Sequence, residues 1–310
     1  MNIAVVGLGL IGGSLCKTLK EKCSYTIWGF DTDSDVCKKA LEEKCVDEII
    51  EKEKLGEADV TFVCLHPETT VKFIKKNAPL FKKNSIVCDV CGVKEYITEK
   101  CEGILKKNSV YYVGTHPMAG REFSGFDYSQ DSLFEGADFI ITKTDNTNKD
   151  AAEKIASLAK EMGFGEVVYS TPEEHDRIIA YTSQLAHIVS SAYIKSPTLE
   201  KQPGFSAGSF LDMTRVAKLN EKMWASLFLM NRKAIKFELD MLIAHLKQFR
   251  SAIKYEDDEE LVKLLADGRK RKEKNLKENL SRKAGSDESG EAKENSGDKS
   301  KKVKSDDTKK

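Results

Sequence analysis

The chain has 310 residues, enough for two domains with a sizeable core, and its 50 basic residues balance its 50 acidic ones. Residues 268–310 carry 15 Lys or Arg against 9 Asp or Glu, so residues 1–267 are net acidic, which disfavours broad nucleic-acid binding. The sequence shows neither a signal-peptide pattern nor an apolar run of the ~18 residues that span a membrane, and we expect a soluble cytoplasmic protein.

Up to about residue 170, short apolar runs alternate with amphipathic stretches. The predicted strands are residues 3–6, 26–30, 60–65, 86–90, 110–113, 139–142 and 167–169. Helical patterns separate most of them, which is typical of βαβ units in a doubly wound, mostly parallel sheet. We therefore predict an α/β fold with a Rossmann-type domain over residues 1–170.

A glycine-rich loop follows the first predicted strand and opens a helix. Gly7 allows a tight turn, Gly9 lets the backbone approach a pyrophosphate, and Gly12 permits close packing of the helix on the strand. Leu10 and Ile11 begin the helix, whose N-terminus carries the positive end of the helix dipole. The loop therefore predicts a dinucleotide site.

Other predicted cofactor residues follow later strands. Asp31 ends the second strand, where a carboxylate accepts hydrogen bonds from the adenosine ribose and repels a 2′-phosphate, so the predicted cofactor is NAD. Leu65, His66 and Pro67 end one strand and Gly92 follows another. Because ligands of open α/β sheets bind beyond the carboxyl ends of the strands, these residues are expected near the nicotinamide.

His116 ends a further strand at the same edge and is the candidate catalytic base. A neutral imidazole within hydrogen-bond reach can take the hydroxyl proton of an alcohol that loses hydride to NAD. The alternative is a loop histidine without a catalytic role. We predict no metal site.

All eight cysteines lie between Cys16 and Cys101 and are expected to be reduced and buried. Cys88 and Cys91 also match the C-x-x-C pattern of a redox pair, the less favoured interpretation.

The pattern becomes helical at residue 171. Thr171 is a good N-cap, Pro172 suits the first helical position, and Glu174 completes a capping box. Apolar residues at helix spacing over residues 223–253 predict one long helix that needs a partner surface. We predict a helical dimerisation domain over residues 171–267 in a homodimer, and a disordered charged tail over residues 268–310.

Two polar stretches interrupt this helical half. Ser183 and His187 are four residues apart, on one helix face. Arg215 lies among apolar residues, an unusual place for a guanidinium unless it meets a carboxylate. That carboxylate belongs either to a substrate or to an internal partner such as Asp212.

Five motifs occur in order along the chain. They are GLGLIGGS (residues 7–14), THPMAGREFSG (115–125), His175-Asp176, SQLAH (183–187) and DMTRVA (212–217), the last followed by Trp224. Together they resemble the prephenate dehydrogenase family from residue 1 to about residue 265. The resemblance implies NAD-dependent oxidative decarboxylation of prephenate to 4-hydroxyphenylpyruvate in tyrosine biosynthesis, by a dimer joined through its helical domain.

The resemblance also implies roles for individual side chains. His116 matches the catalytic histidine that accepts a hydrogen bond from the ring C4 hydroxyl as hydride leaves C4. Arg215 matches the arginine that holds a substrate carboxylate. The residues that match those lining or gating the substrate pocket are His187, Ser183, Glu122 and Trp224. Many members have a serine near the catalytic histidine where this chain has Gly92. Whatever the serine hydroxyl contributes in those members must here come from water, from Cys91 or from nothing.

Three alternative functions are open to this sequence. Arogenate dehydrogenase performs the same chemistry on a substrate with an amino side chain. Another NAD-dependent β-hydroxyacid-type dehydrogenase shares the overall pattern but does not account for HPMAG and DMTR occurring together. A redox sensor would bind NAD(H) without turnover.

Overall fold

The computed structural model describes residues 1–121 and 123–297, and these form two compact units, the first Met1–Leu239 and the second from Asp240 onward. The first unit contains a sheet, the helices around it and the start of the helical region. The second unit contains the rest of the helical region. The domain limit at residue 170 rests on the change from strand to helix patterns and the limit at residue 267 on composition, and both stay predictions.

Within the described residues, eight strands form one sheet in the order β3-β2-β1-β4-β5-β6-β7-β8. They are β1 (Asn2–Val6), β2 (Thr26–Phe30), β3 (Glu48–Ile49), β4 (Val60–Val63), β5 (Ile86–Asp89), β6 (Tyr111–Pro117), β7 (Phe139–Thr142) and β8 (Val167–Ser170). Every neighbouring pair is parallel except β6 and β7. The predicted doubly wound, mostly parallel sheet is confirmed, and its order reverses between β1 and β4, where such sheets bind ligands.

The first five α-helices of the described residues cover the sheet, and the remaining helices form the helical region that follows it in the chain. They are α1 (Leu10–Lys22), α2 (Ser34–Glu42), α3 (Pro67–Asn77), α4 (Glu95–Lys107), α5 (Lys149–Glu161), α6 (Pro172–Ile179), α7 (Leu185–Tyr193), α8 (Gly208–Thr214), α9 (Glu221–Met230), α10 (Arg232–Lys254) and α11 (Asp258–Gly297). Helix α6 begins as predicted, because the Thr171 hydroxyl accepts from the Glu174 N–H at 3.1 Å and Pro172 takes the first position. Among these helices, none combines the length and the apolar character needed to cross a membrane.

The sheet has a buried apolar layer on each face. Side chains of β1 alternate between the layers, with Ile3 and Val5 in one and Ala4 and Val6 in the other. Helices α1 and α5 pack on the first face, and α3 and α4 on the second. Burial of both faces explains why the central strands are continuous apolar runs, and it leaves the ends of the strands for a ligand.

The structure adds the short strand β3 to the seven predicted strands and corrects two further element predictions. Strand β6 continues past residue 113 to Pro117, so His116 lies within the strand, opposite Ile140 of β7. The predicted single helix over residues 223–253 is interrupted at Asn231, between α9 and α10. The buried Asn231 amide donates to the Asp176 carbonyl at 2.7 Å and to Gln184 Oε1 at 2.6 Å. These tertiary hydrogen bonds account for a break that helix periodicity does not reveal.

Helix α11 continues from Asp258 to Gly297, beyond the start of the predicted tail at residue 268. The side chains of residues 267–281 are all exposed. Residues 298–310 lie outside the described residues.

Candidate active site

The loop between β1 and α1 has the geometry of a phosphate cradle. Gly7 has φ +90°, and a Cβ there would lie 2.7 Å from the Cys64 carbonyl oxygen. A Cβ on Gly12 would lie 1.8 Å from the Gly7 carbonyl oxygen, whereas one on Gly9 would meet nothing within 4 Å. Gly9 caps α1 without a side-chain hydrogen bond, so the amides of Leu10 and Ile11 lie in a first turn whose N–H groups lack intrahelical partners. These features fit a dinucleotide pyrophosphate.

Asp31 directly follows β2 and contacts this loop. Its Oδ2 accepts from the Leu8 N–H at 2.7 Å and its Oδ1 from the Asp33 N–H at 3.0 Å, which holds the carboxylate in place. A cavity of about 240 Å³ lies beside it. Its lining comprises Val6, Gly7, Phe30, Asp31, Thr32, Lys52, Leu65, Thr69, Lys72, Phe73, Lys76 and Asn77. Each carboxylate oxygen has a second lone pair for a ribose hydroxyl.

The other predicted cofactor residues follow β4 and β5 at the same edge. Leu65 is half-buried, His66 is the exposed N-cap of α3, and Pro67 is the buried first residue of that helix. Gly92 lies where a Cβ would be 3.5 Å from His116 Nε2, so a side chain at this position would touch the imidazole. The structure thus brings Gly92 and His116 together at the carboxyl edge of the sheet.

Cys88 and Cys91 do not form a disulfide and are both buried. Burial, the first cause, and the nearby Asp89 carboxylate raise the pKa of both thiols. The Cys91 Sγ lies 3.5 Å from the Leu65 carbonyl oxygen, to which it donates. Protonated, buried thiols are poor redox nucleophiles, which weighs against the redox-pair interpretation.

His116 is half-buried, and its Nδ1 lies 2.9 Å from Nε2 of His175 in α6. The two rings meet edge to face, with centroids 5.1 Å apart. Nδ1 of His175 lies 2.7 Å from Oδ1 of Asp176. Burial, then the neighbouring His175, then the Lys94 cation hold the pKa of His116 well below its ordinary value. His116 is therefore a neutral imidazole at neutral pH, the form that can accept a proton.

A buried ion pair lies behind the histidine. Lys94 Nζ and Asp89 Oδ2 are in contact, and both side chains are fully buried. Lys94 also donates to the carbonyl of Thr115 at 2.6 Å, and the Tyr112 hydroxyl donates to Asp89 Oδ1 at 2.7 Å. A buried pair of this kind requires that its remaining donors and acceptors be satisfied. Here those extra bonds tie β5 to β6 directly before His116.

In the helical region the structure brings Ser183, His187 and Trp224 together. His187 Nδ1 donates to the Ser183 carbonyl at 2.9 Å, and its ring stacks on Trp224 with centroids 3.7 Å apart. Ser183 lies in a π-helical segment, Ala180–Gln184, between α6 and α7. Such segments are frequent at functional sites because they change the direction of side chains within a continuous helix.

Arg215 opens a short 3-10 turn, Arg215–Ala217, that follows α8 and packs against α7. Its side chain is exposed, as is that of Asp212 in α8. Glu122 lies outside the described residues. The contact of Arg215 with a substrate carboxylate therefore stays a prediction.

Sequence reasoning gave no role to His175, Asp176, Lys94 or Asp89. The pair His175-Asp176 was visible only as part of a motif, and Lys94 reads as a surface residue after a strand. A signal existed, because His175 and Asp176 are two adjacent titratable residues directly after the first turn of the predicted helix. The groups outside α6 that these two side chains contact, however, lie 59 to 82 positions away.

Comparison with known proteins identifies the family. Residues 15–169 match the family model described as the nucleotide-binding domain of prephenate dehydrogenase, and residues 171–267 match its dimerization domain. The glycine loop precedes the first match, so the assignment of this loop as a dinucleotide site rests on its geometry.

Three similar proteins illustrate the relationship. A cyclohexadienyl dehydrogenase from Zymomonas mobilis is 31% identical over 87% of this chain and 94% of its own. The crystal structure of prephenate dehydrogenase from A. aeolicus in complex with hydroxyphenyl propionate and NAD⁺ is 30% identical, covers 88% of this chain and 97% of its own, and has a TM-score of 0.79. The crystal structure of Synechocystis arogenate dehydrogenase is 28% identical, covers 88% and 99%, and has a TM-score of 0.78. This chain belongs to the prephenate dehydrogenase family.

Proposed function

We propose that the chain oxidatively decarboxylates prephenate to 4-hydroxyphenylpyruvate with NAD, in tyrosine biosynthesis. The observation that carries the proposal is the position of His116. Its imidazole, kept neutral by its surroundings, lies at the sheet edge that also bears the glycine loop, with Nε2 facing Gly92. The bound NAD⁺ and hydroxyphenyl compound of the similar A. aeolicus enzyme support the same choice of cofactor and substrate class.

The proposed reaction requires one proton acceptor from the protein. NAD⁺, when bound, accepts the hydride. His116 takes the proton of the C4 hydroxyl while the C4–H bond breaks and its electron pair leaves as hydride. The bond between the ring and its carboxylate then breaks, CO₂ departs, and that electron pair completes the aromatic ring. The proton returns from His116 to the phenolic oxygen, so atoms and charges balance.

We propose that residues of the helical region bind the substrate. Arg215 is the proposed partner of a substrate carboxylate, since prephenate carries two negative charges and a guanidinium binds a carboxylate with two parallel hydrogen bonds. The stacked pair of His187 and Trp224, with Ser183, is proposed to line the pocket. Glu122 is proposed to gate it, on resemblance alone.

We also propose a homodimer. The match of residues 171–267 to a dimerization domain supports it, and so do large exposed apolar side chains in that region, such as Leu211, Leu229 and Phe205, which is 91% exposed. Sedimentation equilibrium tests this, and a monomer at micromolar concentration would contradict it.

The test of the activity is NADH formation, followed by absorbance, with purified protein and either prephenate or arogenate. We expect turnover of prephenate with release of CO₂ and a lower kcat/KM for arogenate. NADP⁺ serves as the matched cofactor control, and we expect it to be poorly used because Asp31 repels a 2′-phosphate. No NADH with prephenate would refute the proposed function.

A further inference from the structure

We propose that His175 and Asp176 are positioning residues that hold His116 in the one tautomer able to act as a base, with its proton on Nδ1 and its lone pair on Nε2. The inference rests on the proposed function and deepens it. Neither residue needs to touch substrate or cofactor. The assignment rests on hydrogen bonds that join β6, α6, the N-terminus of α4 and Asn231.

The direction of each hydrogen bond follows from Asp176. A carboxylate only accepts, so the 2.7 Å contact between Asp176 Oδ1 and His175 Nδ1 requires a proton on that nitrogen. A neutral His175 then has a bare Nε2, which is an acceptor. The 2.9 Å contact with His116 therefore requires a proton on Nδ1 of His116. Nε2 of His116 is left bare.

That bare nitrogen faces the side where the chemistry is proposed. His116 Nε2 is the atom nearest to a Cβ placed on Gly92, at 3.5 Å. Gly92 follows β5 at the carboxyl edge of the sheet, the edge that bears the glycine loop. The opposite tautomer would present an N–H there and could not remove a hydroxyl proton.

Asp176 is itself held by the N-terminus of α4. Its Oδ1 accepts from the backbone N–H of Lys94 at 2.7 Å, and its Oδ2 accepts from that of Glu95 at 3.0 Å. Its carbonyl accepts from the Asn231 side chain at 2.7 Å. Asp176 is 2% exposed and His175 is 2% exposed. The carboxylate therefore has little freedom to rotate, and the bond to His175 keeps its direction.

The charges around the two rings keep His175 neutral as well. Burial, the first cause, lowers the pKa of His175; its hydrogen bond to Asp176 opposes that effect, and the Lys94 cation adds to it. Asp89, paired with Lys94, raises the pKa slightly. The charged groups that act on the two rings are thus Asp89 of β5, Lys94 of the loop before α4, and Asp176 of α6. A protonated His175 would donate from Nε2 and reverse the bond to His116.

The first experiment uses the tautomer itself as the readout. The chain has five histidines, so ¹⁵N-histidine labelling and two-dimensional NMR of the whole protein resolve which ring nitrogen of each carries a proton. Loss of one signal set in His116→Asn and in His175→Leu assigns those two rings. We expect His116 and His175 both protonated on Nδ1 at pH 7. A wild-type His116 protonated on Nε2 would overturn the proposal, whatever the enzyme's activity.

The second experiment separates positioning from packing. His175→Leu keeps the bulk but removes the acceptor, whereas His175→Gln keeps an oxygen that can accept from His116. We expect kcat for prephenate to fall at least about tenfold in the leucine variant, KM for NAD to stay unchanged, and the glutamine variant to recover most of the loss. His245→Gln, at an exposed histidine in α10, is the matched control and should behave as wild type.

The outcomes are distinguishable. Equal losses in the leucine and glutamine variants that follow their melting temperatures would mean a packing role and would overturn the proposal. Wild-type kcat in His175→Leu would overturn it too. If the wild-type protein does not oxidise prephenate at all, the proposed function fails, but the NMR measurement still decides the tautomer.

Discussion

The two sides of the proposed site differ in how they are built. On the cofactor side, the loop from Gly7 to Gly12 is a contiguous segment whose shape follows from missing side chains. On the catalytic side, His116 depends on His175 and Asp176, which are 59 and 60 positions further along the chain. Variants of the first should therefore act mainly on cofactor binding, and variants of the second mainly on turnover.

The largest expected effect is on the catalytic side. His116→Asn should reduce kcat for prephenate at least about 10²-fold, the usual contribution of a positioned base, and leave NAD affinity unchanged. Steady-state kinetics and NAD titration by fluorescence measure the two quantities. Near-normal turnover would remove His116 from the mechanism.

Arg215 sharpens the comparison because it belongs to neither side. Arg215→Ala should raise KM for prephenate by tens-fold, about 2 kcal/mol, with KM for NAD unchanged. Arg215→Lys keeps the charge but loses the planar fork, so it should also be impaired. If Arg215 instead pairs with a carboxylate of the protein itself, Arg215→Ala should lower the melting temperature without a selective change in KM for prephenate. That result would exclude the contact with a substrate carboxylate.

Two glycines of the loop give a matched pair. Gly9→Ala places a methyl group in open space, so the fold should persist. The methyl group would, however, keep the pyrophosphate from coming close to the backbone, which should raise KM for NAD by roughly tenfold, about 1.4 kcal/mol. Gly12→Ala places a Cβ 1.8 Å from the Gly7 carbonyl oxygen, so both NAD binding and melting temperature should fall. Gly103→Ala, in α4 with nothing within 4 Å, should leave NAD binding unchanged. A Gly9→Ala variant with normal KM for NAD would contradict the cradle.

The pH dependence tests the buried histidines. His116 must be neutral to accept a proton, and its pKa lies well below the ordinary value, so kcat should stay constant down to about pH 6.5 and decline only below it. Because the pKa values of His116 and His175 are lower in the folded state, the unfolded state binds more protons. Their contribution to stability is therefore present above about pH 6.5 and is lost as the pH falls. A kcat that already declines between pH 8 and 7 would contradict a neutral His116.

The smallest effect is expected from the C-terminus. Deletion of residues 268–310 should leave kcat, both KM values and the melting temperature nearly unchanged, because the segment is poor in apolar residues and the side chains of residues 267–281 are exposed. Differential scanning calorimetry of both forms measures this. A decrease of several degrees would show that the segment packs on the body.

The parts of the site that were predictable are those in which one residue's covalent structure decides the geometry. The tight turn at Gly7, which has φ +90°, and the position of Asp31 directly after β2 followed from spacing alone. The end of β6 and the interruption at Asn231 were not, since antiparallel pairing with β7 extends the strand and bonds to Asp176 and Gln184 compete with helix continuity. A single-sequence pattern contains no information about partners that arrive from other segments.

By itself, the sequence determined the doubly wound sheet and the glycine-rich turn, because alternation of apolar residues and the steric freedom of glycine are local properties. Its motifs also singled out His116 as the candidate base. Only the tertiary structure decided which groups surround that base. The buried pair of Lys94 and Asp89 and the chain from His116 through His175 to Asp176 exist because α4 and α6 meet at the end of β6. Hydrogen-bond direction and pKa depend on distances of about 3 Å between such groups, and folding alone brings them that close.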